Sequence, residues 1–400
     1  MRGRALHRLA AQIRDYDWGS RTFLSGMRGA GESSSPEAEL WIGAHPAAES
    51  TVELEAGQVP LSKAIASDPV FWLGRATADR FDGALPFLLK VLAVEKPLSL
   101  QAHPDLAAAA RGFERERHAS PDHRSYVDRG HKPEIVVALE PFWALRGVRS
   151  RADVRGALAE IAEALAEVEP TVRGEGDLRA FILALLGMAP EAWRRAVIAI
   201  RQHIEATDPG GPGDRWFWVD TLLRHHPNDA ACLSPLFMEL ERLEPGQAIF
   251  QPAGMLHCYL RGAAVEAMAS SDNVLRGGLS SKHVDLDELL NVGELTASGR
   301  EALSPSVLAE GVETWRTPAD EFRLSRLSAE PAGRPVPLGG AGSIVLAVCT
   351  GGRGRLVETH DALPIEAGQA VAVAAAADTV RLEAETPVTV FAAMVPPRAS

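Results

Sequence analysis

The chain is short of lysine. Of its 41 basic residues only five are lysine: Lys63, Lys90, Lys96, Lys132 and Lys282. Arginine replaces lysine freely on a solvated surface but not at tight or chemically tuned positions, so the lysines that persist mark places to look for chemistry. Cysteine is scarcer still, with Cys232, Cys258 and Cys349 far apart. An odd, sparse count excludes a disulfide framework and fits a reducing compartment; a cytoplasmic location is expected. Positive charge is in deficit overall, 41 basic against 53 acidic residues for a formal charge of −12. That balance argues against a nucleic-acid or anionic-membrane partner, and an anionic substrate would need a local cationic pocket. No apolar run approaches the roughly 20 residues of a membrane span. The arginine-bearing stretch from Met1 to Ser20 has no apolar centre, so no secretory leader is expected.

What is present is an ordinary globular composition, 46% hydrophobic and 24% charged over 400 residues, long enough for two or three domains. Up to about residue 149 the texture is β: Ala38–Ile42, Phe87–Leu92, Leu98–His103 and Glu134–Leu139 are short apolar or alternating runs broken by Gly, Pro and Asp. From 150 to 228 it is helical. Val154, Leu158, Ile161, Leu165 and Val168 recur at helical spacing, and Phe181–Leu186 and Trp193–Ile204 repeat the pattern. Gly210-Gly211-Pro212-Gly213 marks a loop before one more helix. After Pro227 the β texture returns, and Thr317–Arg334 reads as a joint to a last unit. An internal echo supports this division: Glu244-Pro245-Gly246-Gln247-Ala248-Ile249-Phe250 matches Glu366-Ala367-Gly368-Gln369-Ala370-Val371-Ala372. Carried on without gaps, the alignment sets His257 against Thr379, so the second copy keeps the turn and lacks the histidine.

Three segments carry candidate chemistry. Gln101 and His103 are two apart on a predicted strand and project together, as do Lys132 and Glu134 at the start of another; His257 follows a Gly-containing turn. Imidazole, carboxylate and amide oxygen suit a borderline divalent ion such as zinc. Dispersal over several strands suits a barrel interior, where alternate residues point inward. Singly, each of these residues could equally be a core histidine or an exposed charge pair.

Together they lie within longer matching stretches: Tyr16-Asp17-Trp18-Gly19-Ser20, Ala38-Glu39-Leu40-Trp41-Ile42-Gly43-Ala44-His45-Pro46, Pro86–Leu92, Leu98–Asp105, His131-Lys132-Pro133-Glu134, and His257–Gly262 through Glu266 and Ser271–Arg276. At these residues the chain resembles the type I mannose-6-phosphate isomerases. The resemblance implies a mostly β fold with an α insertion: two cupin-like β barrels (jelly rolls) plus a helical domain. The catalytic barrel would span 1–149 and 229–317, the insertion 150–228, and a metal-free cupin-like domain 318–400. It implies one zinc per chain held by Gln101, His103, Glu134 and His257, with Lys90 and Ser99 near the phosphate of a phosphorylated hexose and Lys132, Glu266 and Arg276 around the sugar. The chain is expected to act as a monomer. Where the family usually reads Arg-Ala-Gly and then Thr-Pro-Lys, this chain has Arg276-Gly277-Gly278-Leu279-Ser280-Ser281-Lys282.

The reaction implied moves a proton between C1 and C2 through an enediolate, so it needs a base and a stabiliser of oxygen anion. Glu266, Lys132 and a metal-bound hydroxide are the candidates for the base, with Glu266 preferred and Lys132 and Arg276 stabilising charge. Another metal-dependent sugar-phosphate isomerase, or a sugar-binding cupin without catalysis, would share much of this pattern.

Overall fold

The computed structural model describes residues 4–55, 57–162, 165, 178–295, 302–359 and 361–397. The protein is mostly β with a helical insertion, and its described strands form three sheets of nine, ten and four strands, none closed into a barrel. The two cupin-like barrels expected from sequence are therefore not closed: among the described residues the strands lie in open sheets.

The ten-stranded sheet is organised by one long strand, His257–Ala269. Its first residues pair with Phe142–Val148 and Leu100–Ala102, its later ones with Phe87–Val94 and Glu134–Ala138. The change of partner falls at Gly262, whose φ is +122°. A Cβ there would lie 2.6 Å from the Pro141 carbonyl oxygen, so only glycine lets the strand turn so closely past its neighbour. Alternation along Phe87–Val94, all eight residues of it buried, sorts the side chains. Leu89, Val91 and Ala93 join a core shared with Leu346, Val348 and Phe391 of the C-terminal unit. Lys90 points to the opposite face, in register with Glu266.

The helical insertion follows its apolar period. Helices span Arg151–Leu158, Leu178–Leu186, Pro190–Thr207 and Arg215–His225. Val154, Leu158, Ile161, Leu165, Phe181, Trp193 and Ile200 form one core with Leu100, Cys258 and Leu275 of the ten-stranded sheet. Val168, of the same sequence pattern, lies outside the described residues.

The nine-stranded sheet crosses the expected domain limits. The Leu6–Ala10 strand lies between Thr51–Leu54 and Ala370–Val373, with Leu6 opposite Val373. At the far edge, Ser306–Ala309 and Val312–Thr314, which precede residue 318, belong to the same sheet. The internal echo is repeated in atomic detail. Gly246 and Gly368 have φ of +89° and +86°. Their N–H groups donate to the Ala138 and Cys349 carbonyls, each at 2.9 Å, and the N–H groups of Gln247 and Gln369 donate to the Glu244 and Glu366 carbonyls, each at 2.9 Å. Thr379, opposite His257 in that alignment, is exposed. Among the described residues no helix is long and apolar enough to cross a membrane. The three cysteines are buried and unpaired.

Candidate metal centre and active site

His103 follows the Leu100–Ala102 strand directly, Glu134 opens the Glu134–Ala138 strand, and His257 opens the long central strand. All three are buried, and one ligand atom from each lies within 4.8 Å of the others. Each imidazole has its Nδ1–H committed to a main-chain carbonyl: His103 donates to Asn273 at 3.0 Å and His257 to Met255 at 2.8 Å. This fixes the tautomer and leaves both Nε2 lone pairs facing Glu134, each 3.3 Å from a carboxylate oxygen. His257 Nε2 is buried and has no hydrogen-bond partner. A buried polar atom without a partner is costly unless something binds it. Two imidazoles with their Nδ1–H groups already engaged and a carboxylate, converging on one point, fit zinc.

Charge keeps the donors in the required state. Burial, then the Lys132 cation, lowers the His103 imidazole to about 3, so it is neutral. Burial alone would raise the Glu134 carboxyl, but Lys132 and the imidazoles outweigh it and hold it well below the usual carboxylate range. Lys132 Nζ donates to Glu134 Oε2 at 2.6 Å and to His103 Nε2 at 3.1 Å, and the Tyr259 hydroxyl donates to Glu134 Oε1 at 2.7 Å. Gln101 stands directly across the ladder from His257, and Arg276 across from Gln101, so paired side chains share this face.

Lys90 and Glu266 form a second charged group on the same face. Lys90 Nζ lies 3.0 Å from Glu266 Oε2, 3.7 Å from Glu39 Oε1 and 4.8 Å above the Trp41 ring. The indole N–H of Trp41 donates to Glu39 at 2.6 Å. Burial opposes charge on Lys90, but the two carboxylates outweigh it and raise its pKa, so it stays protonated. Glu266 is raised by burial, with Lys90 opposing. Ser99 is half-buried just before the Leu100–Ala102 segment. Lys282 sits near Arg276 and over the Tyr16 ring at 5.8 Å; partial burial, then the Arg276 charge, lowers its pKa.

A family model for the phosphomannose isomerase type I catalytic domain matches residues 6–151. Mannose-6-phosphate isomerase of Escherichia coli K12 is 36% identical over 332 residues, covering 80% of this chain and 83% of that one. The chain belongs to the type I phosphomannose isomerase family. The human mannose-6-phosphate isomerase is 32% identical, covering 72% of this chain and 73% of its own. A solved structure of the Salmonella typhimurium mannose 6-phosphate isomerase, bound to its substrate and to zinc, superposes with a TM-score of 0.88 at 30% identity, covering 99% of this chain and 100% of that one.

Several residues to which sequence reasoning assigns no part in the chemistry bind this site together. Asn273 accepts through Oδ1 from Val127 N–H at 2.8 Å and donates through Nδ2 to the Gly130 carbonyl at 2.8 Å. It thus ties the loop before Lys132 to the strand end whose carbonyl orients His103. Ser271 adds a bond to Asp128 at 2.9 Å. His45, buried, stands edge-on to Trp41 and 3.4 Å from Asp272. Asn and Ser in a loop read as turn formers; only the matching partner loop shows what they hold.

Proposed function

We propose that this site interconverts mannose 6-phosphate and fructose 6-phosphate, with one zinc per chain held by Gln101, His103, Glu134 and His257. The observation that carries the reading is the buried His103–Glu134–His257 cluster with tautomers fixed and one Nε2 unpartnered. Zinc in that place supplies fixed positive charge against which an oxygen anion of the substrate is stabilised. The other steps fall to the chain's own side chains. Glu266 takes the proton from the sugar carbon at C2 and returns it at C1, by way of a cis-enediolate. Its raised pKa suits a base that must also give the proton back. Lys132 and Arg276 stabilise the enediolate oxygens, Arg276 through its fork of donors. Lys90 holds Glu266 in place by the 3.0 Å contact. For the phosphate, Ser99 and Lys282 offer groups not already enclosed by two carboxylates, whereas Lys90 is so enclosed.

We read the architecture as a catalytic cupin-like unit, 1–149 and 229–317, interrupted by the helical insertion at 150–228. A second cupin-like unit, 318–400, buttresses it and shares a sheet with the N-terminal strand. The enzyme works as a monomer in the cytoplasm on a phosphorylated hexose. The test is a coupled isomerase assay on mannose 6-phosphate before and after chelation, with zinc restored. Activity that survives complete removal of metal, or a strong preference for another aldose phosphate, would overturn it.

A further inference from the structure

Just past the strand that carries Arg276, the chain takes a conformation that a leucine does not favour. Gly278 has φ of +137° and Leu279 of +56°. The left-handed region is costly for a leucine. What holds it there comes from the segment just after the helical insertion. Asp229 Oδ2 accepts from the Leu279 N–H at 2.6 Å, while Oδ1 accepts from the Ala231 N–H at 2.9 Å. A Cβ at Gly278 would lie 2.5 Å from Ala231 Cβ and 2.8 Å from Asp229 Oδ1, so glycine is what lets the strand close on the carboxylate.

The clamp sits one bulge away from Arg276. In the ladder with Leu100–Ala102, Arg276 faces Gln101 and Gly278 faces Leu100, so the register shifts and Gly277 is the extra residue. A bulge re-aims the side chain beside it, and its geometry depends on where its far end is pinned. A Cβ at Gly277 would fall 2.5 Å from Leu289 Cδ2, so this loop is close-fitted on both sides.

We propose that Asp229 is a positioning residue for Arg276. By binding the Leu279 N–H it holds the bulge in the register that sets Arg276 opposite Gln101, the residue that in turn faces His257. It touches no substrate itself, and the segment by which the chain returns from the helical insertion thereby takes part in arranging the active site. This rests on the isomerase reading above.

The experiment is a double-mutant cycle on the zinc-loaded full chain, read as kcat/KM for mannose 6-phosphate. Asp229→Ala is expected to lower kcat/KM by about tenfold or more, with zinc content unchanged. Asp229→Asn should fall between it and the parent, because an amide has one acceptor oxygen for two N–H groups. In an Arg276→Ala background the Asp229→Ala change should have less than about a twofold effect. An unchanged kcat/KM in Asp229→Ala, or an equal loss in both backgrounds, would overturn the proposal. If the alanine variant does not fold, Asp229→Asn is read in both backgrounds by the same criterion. Failure of the parent protein to isomerise mannose 6-phosphate would instead sink the isomerase reading, so the two failures are distinguishable.

Discussion

Replacing Lys90 by methionine keeps an unbranched side chain, one heavy atom shorter, and removes the charge from between Glu266 and Glu39. At 3.0 Å the Lys90–Glu266 attraction is on the order of 5 kcal/mol for an effective dielectric constant near 20. Breaking a buried pair by removing one partner costs about 3–5 kcal/mol, because the other charge is left uncompensated. Lys90 is 6% exposed and Glu266 3%, so solvent does little to screen the loss. A fall in Tm of about 4–6 °C is expected for a chain of this size. The cost also depends on pH. Burial already raises Glu266, and without Lys90 it rises further. A carboxyl whose folded pKa lies above its unfolded one binds protons better when folded, so it favours the folded state at low pH. The variant should therefore be least stable above the Glu266 pKa and recover as pH falls through it. Turnover has the opposite sign: ionised Glu266 is needed, so the acid limb of the kcat profile moves to higher pH. The assay is kcat and KM from about pH 5 to 9, with Tm at both ends. An unmoved acid limb and unchanged Tm, with only KM raised, would refute this account and assign Lys90 to the phosphate, the role implied by family resemblance.

Tyr259→Phe deletes the hydroxyl that donates to Glu134 at 2.7 Å. Zinc affinity should fall by about 10–100-fold, by competition with a chromophoric chelator, while the circular dichroism spectrum stays that of the parent. Thr379→Val, at an exposed position of the C-terminal unit, should leave turnover and metal content nearly unchanged; elemental analysis should give one zinc per chain, and two would contradict the reading of that unit as a scaffold. Gly262→Ala must accommodate a φ of +122° and a contact of 2.6 Å with Pro141. It should cost upwards of about 3 kcal/mol in urea unfolding, and a loss under about 1 kcal/mol would mean the strand can bend elsewhere.

Local chemistry made part of this protein legible in its sequence. The apolar period of 150–228 sets a helix face whatever it packs on, and Val154, Leu158, Ile161 and Leu165 are buried together. The Gly246 and Gly368 turns need a left-handed residue followed by a strand, a requirement met within seven residues, so both copies form the same local Gln N–H to Glu carbonyl hydrogen bond. His103, Glu134 and His257 were recognisable because the donor types needed to hold zinc are few and their motifs long.

Pairing at a distance was decided only by the tertiary structure. Alternation says that Leu6–Ala10 has a buried face, but not that Leu6 lies opposite Val373; an open sheet edge accepts any strand the rest of the packing delivers. The same holds for charge. Lys90 is expected from the family resemblance to face a phosphate and becomes one member of a buried ion pair because register places Glu266 beside it. The partners of His103 and His257 are main-chain carbonyls, which every residue possesses, so no residue type could announce them. Periodicity and ligand chemistry are properties of a few neighbouring residues and survive in the sequence. Register, ion pairing and carbonyl direction exist only once distant segments are brought to within hydrogen-bond distance.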